Sequence, residues 1–246
     1  MPLPMIRTLR GAMLVVTTYL WRDPSRANRG YVCGPEHVQI LKAMVHRNLT
    51  VPHRFVCVTD EKIDGVETFP LNYAKHVEGT VFLRLMQHNP KYGAQLNATQ
   101  VLNLDVDMVV TGSLDKLVSR TADFTIWKNP NFPTPKRAYF QSSVQLFNPG
   151  SRPQLYEEFD PLTTPVWVNW RFGGREQAWI SECLSWKDTP VFTDADGVYG
   201  LGRLRGAGIY ETLPDNACLV STPGARAPWQ PQVQDDFPWI KEHYHV

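Results

Sequence analysis

The centre of the chain reads Val101-Leu102-Asn103-Leu104-Asp105-Val106-Asp107, an apolar run that leads directly into two carboxylates. The apolar residues predict a buried strand, and in open α/β sheets ligands bind just beyond the carboxyl ends of strands. Residues i and i+2 of an extended chain point to the same side, so Asp105 and Asp107 are predicted to converge on one divalent cation. Two acids in apolar surroundings also need a compensating charge. A coincidental pair of acids at a strand end is the competing interpretation.

A second Asp-x-Asp occurs at Asp194-Ala195-Asp196, but its surroundings are those of a turn. Thr193 precedes it and Gly197 follows it. A calcium-binding loop that began at Asp194 would have Glu at its twelfth position, where this chain has Arg205. We therefore predict a solvated turn in this segment rather than a metal site.

Length and charge restrict the class of protein. The chain has 246 residues, and we predict a single α/β domain over residues 1–246. Its 25 basic and 24 acidic residues leave a net charge of +1, which argues against nucleic acid as a partner. The longest apolar stretch, Ala12–Val16, is too short to cross a bilayer, so we predict no transmembrane segment and a cytoplasmic location. The four scattered cysteines indicate reduced, mostly buried thiols.

Apolar periodicity predicts strands and helices on both sides of the central stretch. The predicted strands are Met13–Leu20, Arg54–Thr59, Phe124–Trp127 and Ser143–Phe147, and the predicted helices are Pro35–Leu49, Gly79–His88, Ser151–Phe159 and Glu176–Trp186. The strand, helix and strand at the start of the chain imply a parallel crossover. We therefore predict an α/β fold with a mostly parallel central sheet flanked by helices.

Several polar residues are predicted to reach the carboxyl edge of this sheet. Thr17, Thr18 and Tyr19 end the first strand, where they can hold a nucleobase; an ordinary strand end with Tyr19 packed below it is equally compatible with the pattern. Asp60 directly follows the second strand and is a further candidate for donor binding. Arg84 can pair with a diphosphate or with the two aspartates, or it can lie on a solvated helix face.

Two later segments supply further candidates. Gln141 and Ser142 lead into a predicted strand, and their amide and hydroxyl groups can bind sugar hydroxyls. Glu176 and Gln177 open a predicted helix and can orient the acceptor and the transferred sugar; alternatively, Glu176 only complements the helix dipole. A double displacement would require a carboxylate nucleophile, for which Glu176 is the candidate.

Taken in order along nearly the whole chain, these segments resemble the glycogenin-like and lipopolysaccharide-galactosyltransferase-like group of retaining glycosyltransferases. The most specific part of the resemblance comprises two stretches. Residues 102–107 are similar to the family's metal-binding strand, and residues 112–117 are similar to the turn and helix that follow it. Further matching stretches are Val15–Tyr19, Pro52–Asp60, Ser142–Phe147, Glu176–Ile180 and Pro238–His243. The resemblance implies a GT-A fold, a nucleotide-diphosphate sugar donor, with a UDP-sugar favoured, and a glycan or other hydroxyl acceptor.

The resemblance also implies roles for individual residues. Asp105 would contact the ribose and the metal, and Asp107 the metal, which would be Mn²⁺ or Mg²⁺. Arg84 stands where the family usually has a donor-binding Lys. Gln141 replaces a family Asn, and Glu176 replaces the Asp of a Gly-Asp-Gln motif.

The family's metal-binding His has no counterpart in residues 223–229. Two carboxylates, diphosphate oxygens and water would then form the metal shell, which Mg²⁺ tolerates. The expected function is metal-dependent transfer of a hexose with retention, by a same-face route that needs no protein nucleophile. Two other functions would use the same site: nucleotidyl transfer, or sugar-nucleotide binding without catalysis.

Overall fold

A seven-stranded central sheet and a smaller three-stranded sheet organise the part of the chain that the computed structural model describes. That part comprises residues 13–21, 33–71, 81–130, 138–172, 176–222 and 226–246, apart from the side chains of residues 170–172. Its strands are β1 Leu14–Tyr19, β2 His53–Val58, β3 Glu67–Phe69, β4 Gln100–Leu104, β5 Met108–Val110, β6 Phe124–Lys128, β7 Phe140–Phe147, β8 Val191–Phe192, β9 Val198–Gly200 and β10 Leu219–Ser221. Its helices are α1 Pro35–Asn48, α2 Pro90–Leu96, α3 Asp115–Val118, α4 Gln154–Glu157, α5 Thr164–Phe172, α6 Glu176–Cys183, α7 Leu201–Gly206, α8 Pro231–Asp236 and α9 Trp239–His243, and 3-10 helices cover Val81–His88 and Asp194–Asp196.

The central sheet has the strand order β3-β2-β1-β4-β7-β6-β8. Its strands run parallel except β7, which is antiparallel to both of its neighbours, β4 and β6. The small sheet has the order β5-β10-β9 and begins just after the end of β4. The predicted α/β class with a mostly parallel central sheet is therefore confirmed.

Hydrophobic side chains cover both faces of the central sheet, as buried parallel strands require. Alternate residues of β1 supply the two faces, because side chains alternate along a strand. Leu14 and Val16 pack with α1 and the small sheet. Val15 and Tyr19 pack with the 3-10 helix Val81–His88 and with α6. No helix within the described ranges is both long and apolar enough to cross a membrane.

The predicted early elements are confirmed within one or two residues, but two predicted helices are wrong in extent. The helix predicted at Ser151–Phe159 covers only Gln154–Glu157. Pro153 disfavours a helical backbone at the residue before it, so the helix cannot start at Ser151. The helix predicted at Glu176–Trp186 ends at Cys183.

The helix predicted at Gly79–His88 is a 3-10 helix over its described part, Val81–His88; residues 79 and 80 lie outside the described ranges. It does not continue into α2, because Pro90 restricts Asn89 to an extended backbone. The Asn89 side chain then caps α2 by accepting a hydrogen bond from the Lys91 amide, 2.9 Å away.

The strand β7 begins three residues earlier than predicted, at Phe140. In its antiparallel register with β4, Val144 lies opposite Leu104, the last residue of β4. The first residues of β7, including Gln141 and Ser142, therefore project beyond the carboxyl end of β4. The backbone at the start of β7 therefore lies beside the turn that contains Asp105 and Asp107.

Candidate active site

The central aspartates lie in a tight turn at the carboxyl end of β4. The Asp105 amide donates a hydrogen bond to the Ser143 carbonyl of β7 at 3.0 Å, which extends the sheet ladder by one residue. The chain then reverses, and the Met108 amide donates to the Asp105 carbonyl at 3.2 Å, as in a β-turn. The expectation of an extended chain at Asp105 and Asp107 is therefore wrong, and the same-side argument for their carboxylates does not apply.

Asp107 is held by its backbone from the small sheet. Its carbonyl accepts hydrogen bonds from the Thr222 amide at 3.3 Å and from the Thr222 hydroxyl at 2.5 Å. Only 8% of its surface is exposed. Burial, with the nearby charges of Cys33 and Asp107 as weaker causes, raises the pKa of the Tyr244 hydroxyl. Asp107 therefore lies between the small sheet and the C-terminal segment.

The guanidinium of Arg84 joins Asp105 to Glu176. Arg84 donates to Oδ1 of Asp105 and to Oε1 of Glu176, and to the Ser142 hydroxyl at 2.9 Å. The Ser142 hydroxyl in turn donates to Oε1 of Glu176 at 2.7 Å. Arg84 is 6% exposed and Glu176 2% exposed. Of the alternatives considered for Arg84, the structure thus shows pairing with an aspartate rather than a solvated helix face.

These contacts bring together residues from four separate elements. Arg84 comes from a 3-10 helix, Asp105 from the turn after β4, Ser142 from β7, and Glu176 from the first turn of α6. A buried ion pair is retained only when its hydrogen bonds are satisfied, and here one guanidinium serves two carboxylates. Asp107 follows Asp105 in the same turn.

The turn after β4 carries two aspartates, Asp105 and Asp107, and carboxylate oxygens are the ligands that hard divalent cations prefer. Within the described ranges, no group of three or more His, Cys, Asp or Glu side chains is arranged to hold a metal ion. Any ion at this turn would therefore depend on few protein ligands. Oxygen ligands from two carboxylates, a substrate diphosphate and water suit Mg²⁺.

The side chains at the end of β1 are buried. Thr17 donates from its hydroxyl to the side-chain carbonyl of Asn103 at 3.3 Å, and Thr18 is also enclosed. Tyr19 packs in the core beside Tyr92, and burial raises the pKa of its phenol. For Tyr19 the packed alternative describes the structure, and the phenol is not placed to stack on a base. Only the backbone at this strand end remains a candidate for base binding.

The remaining predicted residues lie near the cluster or at the same sheet edge. Asp60 is exposed after β2, and its Oδ1 accepts a hydrogen bond from the Leu71 amide at 3.2 Å. Gln141 precedes Ser142 in β7, so strand alternation directs it to the opposite face. Gln177 is half-buried in the first turn of α6.

Two residues of the site were not identified from the sequence. Asn103 is fully buried, and its side-chain amide nitrogen has no hydrogen-bond partner in the described part of the chain. A polar side chain within the apolar sequence of a buried strand is unusual, and this signal could have identified Asn103. Thr222 carries no such signal, because its contact with Asp107 joins residues 115 positions apart.

Comparison with known proteins supports the fold. No protein-family model matches the chain, and no curated protein does. The galactosyltransferase LgtC, solved with donor and acceptor sugar analogues, is similar at 13% identity and a TM-score of 0.56, covering 95% of this chain and 97% of LgtC. An active-site mutant of LgtC gives a TM-score of 0.59 at the same identity and coverage.

A third similar structure is the glycosyltransferase GlyE of Streptococcus pneumoniae TIGR4 without ligand, at 13% identity and a TM-score of 0.58. The match covers 89% of this chain but only 56% of GlyE. Identities this low show the fold alone. The chain has the GT-A fold of these glycosyltransferases, with a mostly parallel sheet flanked by helices.

Proposed function

We propose that the chain is a glycosyltransferase that transfers a hexose, with retention, from a nucleotide-diphosphate sugar to a hydroxyl acceptor. The observation that carries the proposal is the cluster of Arg84, Asp105, Ser142 and Glu176 at the carboxyl edge of a GT-A sheet. Ligands of open α/β sheets bind at that edge. A UDP-sugar donor and a glycan acceptor are the substrates we favour, since the structural neighbour LgtC was solved with donor and acceptor sugar analogues.

A divalent cation, Mn²⁺ or Mg²⁺, fits the two aspartates of the turn after β4. Asp105 and Asp107 would hold it, with diphosphate oxygens and water in the remaining positions. When bound, the cation would stabilise negative charge on the leaving diphosphate, a contribution of several kcal/mol to catalysis. The backbone of Asp107 is prepared for this role, because Thr222 fixes its carbonyl.

The residues of the cluster would orient the substrates. Arg84 has a fixed guanidinium plane, since Asp105 and Glu176 hold both of its terminal nitrogens. Because two carboxylates already neutralise its charge, Arg84 would act by holding Asp105 in position beside the donor. Gln177, next to Glu176 in the first turn of α6, would contact the sugar or the acceptor. Gln141 lies on the face of β7 opposite Ser142, a position from which it would not contact a substrate held by the cluster.

The environment of Glu176 supports a same-face mechanism. Its Oε1 atom accepts hydrogen bonds from both Arg84 and Ser142, and the residue is almost fully buried. A carboxylate engaged in this way acts as a structural anion rather than as a nucleophile. The acceptor proton would then pass to the leaving phosphate, so that attack and departure take place on the same face of the sugar.

The direct test is product analysis with UDP-galactose, UDP-glucose and GDP-mannose in the presence of Mn²⁺. Glycosyl transfer, or hydrolysis in the absence of an acceptor, releases the nucleoside diphosphate. Proton NMR of the first-formed sugar product should show the anomeric configuration of the donor. Inversion of that configuration would contradict the retaining mechanism.

The same experiment separates the two rival functions. Nucleotidyl transfer attacks phosphorus rather than carbon and would produce or consume pyrophosphate. A catalytically inactive sugar-nucleotide-binding protein would bind UDP in calorimetry but release no product. Either result would overturn the proposal of glycosyl transfer.

We also propose that the whole chain forms one domain. Residues of the small sheet, such as Val109 and Leu219, belong to the same hydrophobic cluster as Leu14 and Val16 of the central sheet. A cytoplasmic location stays a prediction from the sequence. No disulfide joins the four cysteines, which all lie in the described ranges, and Cys57 and Cys218 are buried.

A further inference from the structure

Two histidines meet at the edge of the sheet opposite the candidate active site. His46 lies in the last turn of α1 and His53 is the first residue of β2. The Nε2 atom of His53 is 3.1 Å from the Nδ1 atom of His46, and the ring centroids are 4.9 Å apart. Since β2 and β4 both run parallel to β1, the start of β2 lies at the far end of the sheet from Asp105.

The hydrogen bond of His53 fixes its tautomer. Nδ1 of His53 lies 2.7 Å from the Val51 carbonyl, which can only accept a hydrogen bond. In the neutral ring the proton is therefore on Nδ1, and the Nε2 lone pair accepts a hydrogen bond from Nδ1 of His46. For both nitrogens to bind an ion, the proton of His46 must move to its own Nε2 atom. Histidines that bind metals almost always donate their second ring nitrogen to a carbonyl or carboxylate in this way.

The separation of the two nitrogens suits two ligands of one metal ion. With zinc–nitrogen distances of about 2.0–2.1 Å, nitrogens 3.1 Å apart subtend an angle of about 100° at the ion. That angle lies between octahedral and tetrahedral values.

The connection between the two histidines is held in place. The amide and the hydroxyl of Thr50 donate to the Asp115 carboxylate at 2.8 and 2.7 Å. The Leu114 amide donates to the Asn48 carbonyl at 2.8 Å. The segment from Asn48 to His53 is thus anchored to the start of α3, and a preorganised pair of ligands loses little entropy on binding.

We propose that His46 and His53 form a binding site for one borderline transition-metal ion, Zn²⁺, Ni²⁺ or Cu²⁺, through Nδ1 and Nε2 respectively. Water would complete the coordination, because His46 is exposed. The site is distinct from the Asp105 turn in position and in chemistry. Imidazole ligands select these metals, whereas carboxylates and diphosphates favour Mg²⁺ and Mn²⁺. The bound ion would join the end of α1 to the start of β2.

Calorimetric titration of the full chain with Zn²⁺ and Ni²⁺ tests this site. We expect one binding event that survives Asp105→Asn and Asp107→Asn and weakens at least tenfold in His46→Ala and in His53→Ala. The control variant His245→Ala, at another exposed histidine, should bind as the wild type does. Mg²⁺ should not compete for this event.

Side-chain NMR provides a second readout on the same samples. Zn²⁺ should shift the imidazole signals of His46 and His53 together, and circular dichroism should show that both alanine variants remain folded. Zn²⁺ and Ni²⁺ affinities that are unchanged in both folded variants would overturn the proposal. Loss of the event in the aspartate variants alone would also overturn it, because the ion would then belong to the Asp105 turn.

Discussion

The chain contains the same motif twice, Asp-x-Asp at residues 105–107 and at residues 194–196, and the two copies have opposite surroundings. In the second copy each carboxylate pairs with an arginine of its own. Asp194 accepts from Nε of Arg203 at 2.7 Å, and Asp196 pairs with Arg120. Asp196 also accepts from the Thr193 amide at 3.0 Å and so caps a short 3-10 helix.

Gly197 ends the short 3-10 helix of the second copy. Its φ of 84° lies in the left-handed region, and a Cβ there would collide with the Asn216 carbonyl. The predicted solvated turn is instead a 3-10 helix that ends at Gly197, and the Asp196 side chain is only 11% exposed. Each acid has its own arginine. At the first copy, by contrast, one arginine serves Asp105 and Glu176 together. The tripeptide itself carries no function; its position in the sheet and its balance of charges distinguish the two copies.

The largest expected difference between the copies is in turnover. Asp107→Asn should reduce cation-dependent release of UDP from a UDP-hexose by about a thousandfold, the equivalent of several kcal/mol of lost charge stabilisation. Asp196→Asn, the matched change in the second copy, should leave the rate within about twofold, since surface changes away from a site have small effects. Initial rates of UDP release at saturating Mn²⁺ measure the effect in both variants. Equal losses in the two variants would remove the distinction.

The buried ion pair should dominate stability at the first copy. Arg84→Met leaves the carboxylate of Glu176 buried without its cation, at a cost of about 3–5 kcal/mol in the free energy of unfolding. Adding Glu176→Gln should recover much of that loss, because the uncompensated charge is removed. Urea denaturation of the two single variants and the double variant gives the interaction free energy between Arg84 and Glu176. Additive losses would show that the two side chains do not act as a pair.

The smallest expected effect is at the cap of the second copy. Asp196→Ala removes the acceptor for the Thr193 amide and should lower stability by about 1 kcal/mol while turnover is retained. Asp107→Asn should do the reverse, with turnover lost and stability retained, because it removes the charge of the side chain and keeps its size. Thermal unfolding and initial-rate measurements on both variants compare their losses of stability and of turnover. A larger stability loss in Asp107→Asn than in Asp196→Ala would contradict this assignment.

The sequence predicted the elements that depend on local patterns. The apolar run of residues 101–104 located β4, and the helical spacing of Val38, Leu41 and Val45 located α1. The sequence also named Ser142 and Glu176 as candidate site residues, although it did not predict the hydrogen bond between their side chains. These features are readable because each depends on periodicity or on residue type within a short window.

The turn at the aspartates could not be read from the sequence for a physical reason. Asp105-Val106-Asp107-Met108 alternates polar and apolar residues, which is the pattern of a strand, and its turn-favouring residues are the two aspartates alone, without Gly, Pro or Asn. The turn is imposed instead by distant partners, Ser143 and Thr222. The three-residue strands β5 and β10 were missed because they are too short for a periodic signal.

The most direct test of the first copy as the donor site is calorimetric titration of UDP with and without Mn²⁺. We predict Mn²⁺-dependent UDP binding by the wild-type chain and by Asp196→Asn, and loss of that dependence in Asp107→Asn. Binding of UDP that is unchanged by Mn²⁺ in the wild type, or Mn²⁺-dependent binding that persists in Asp107→Asn, would contradict the account.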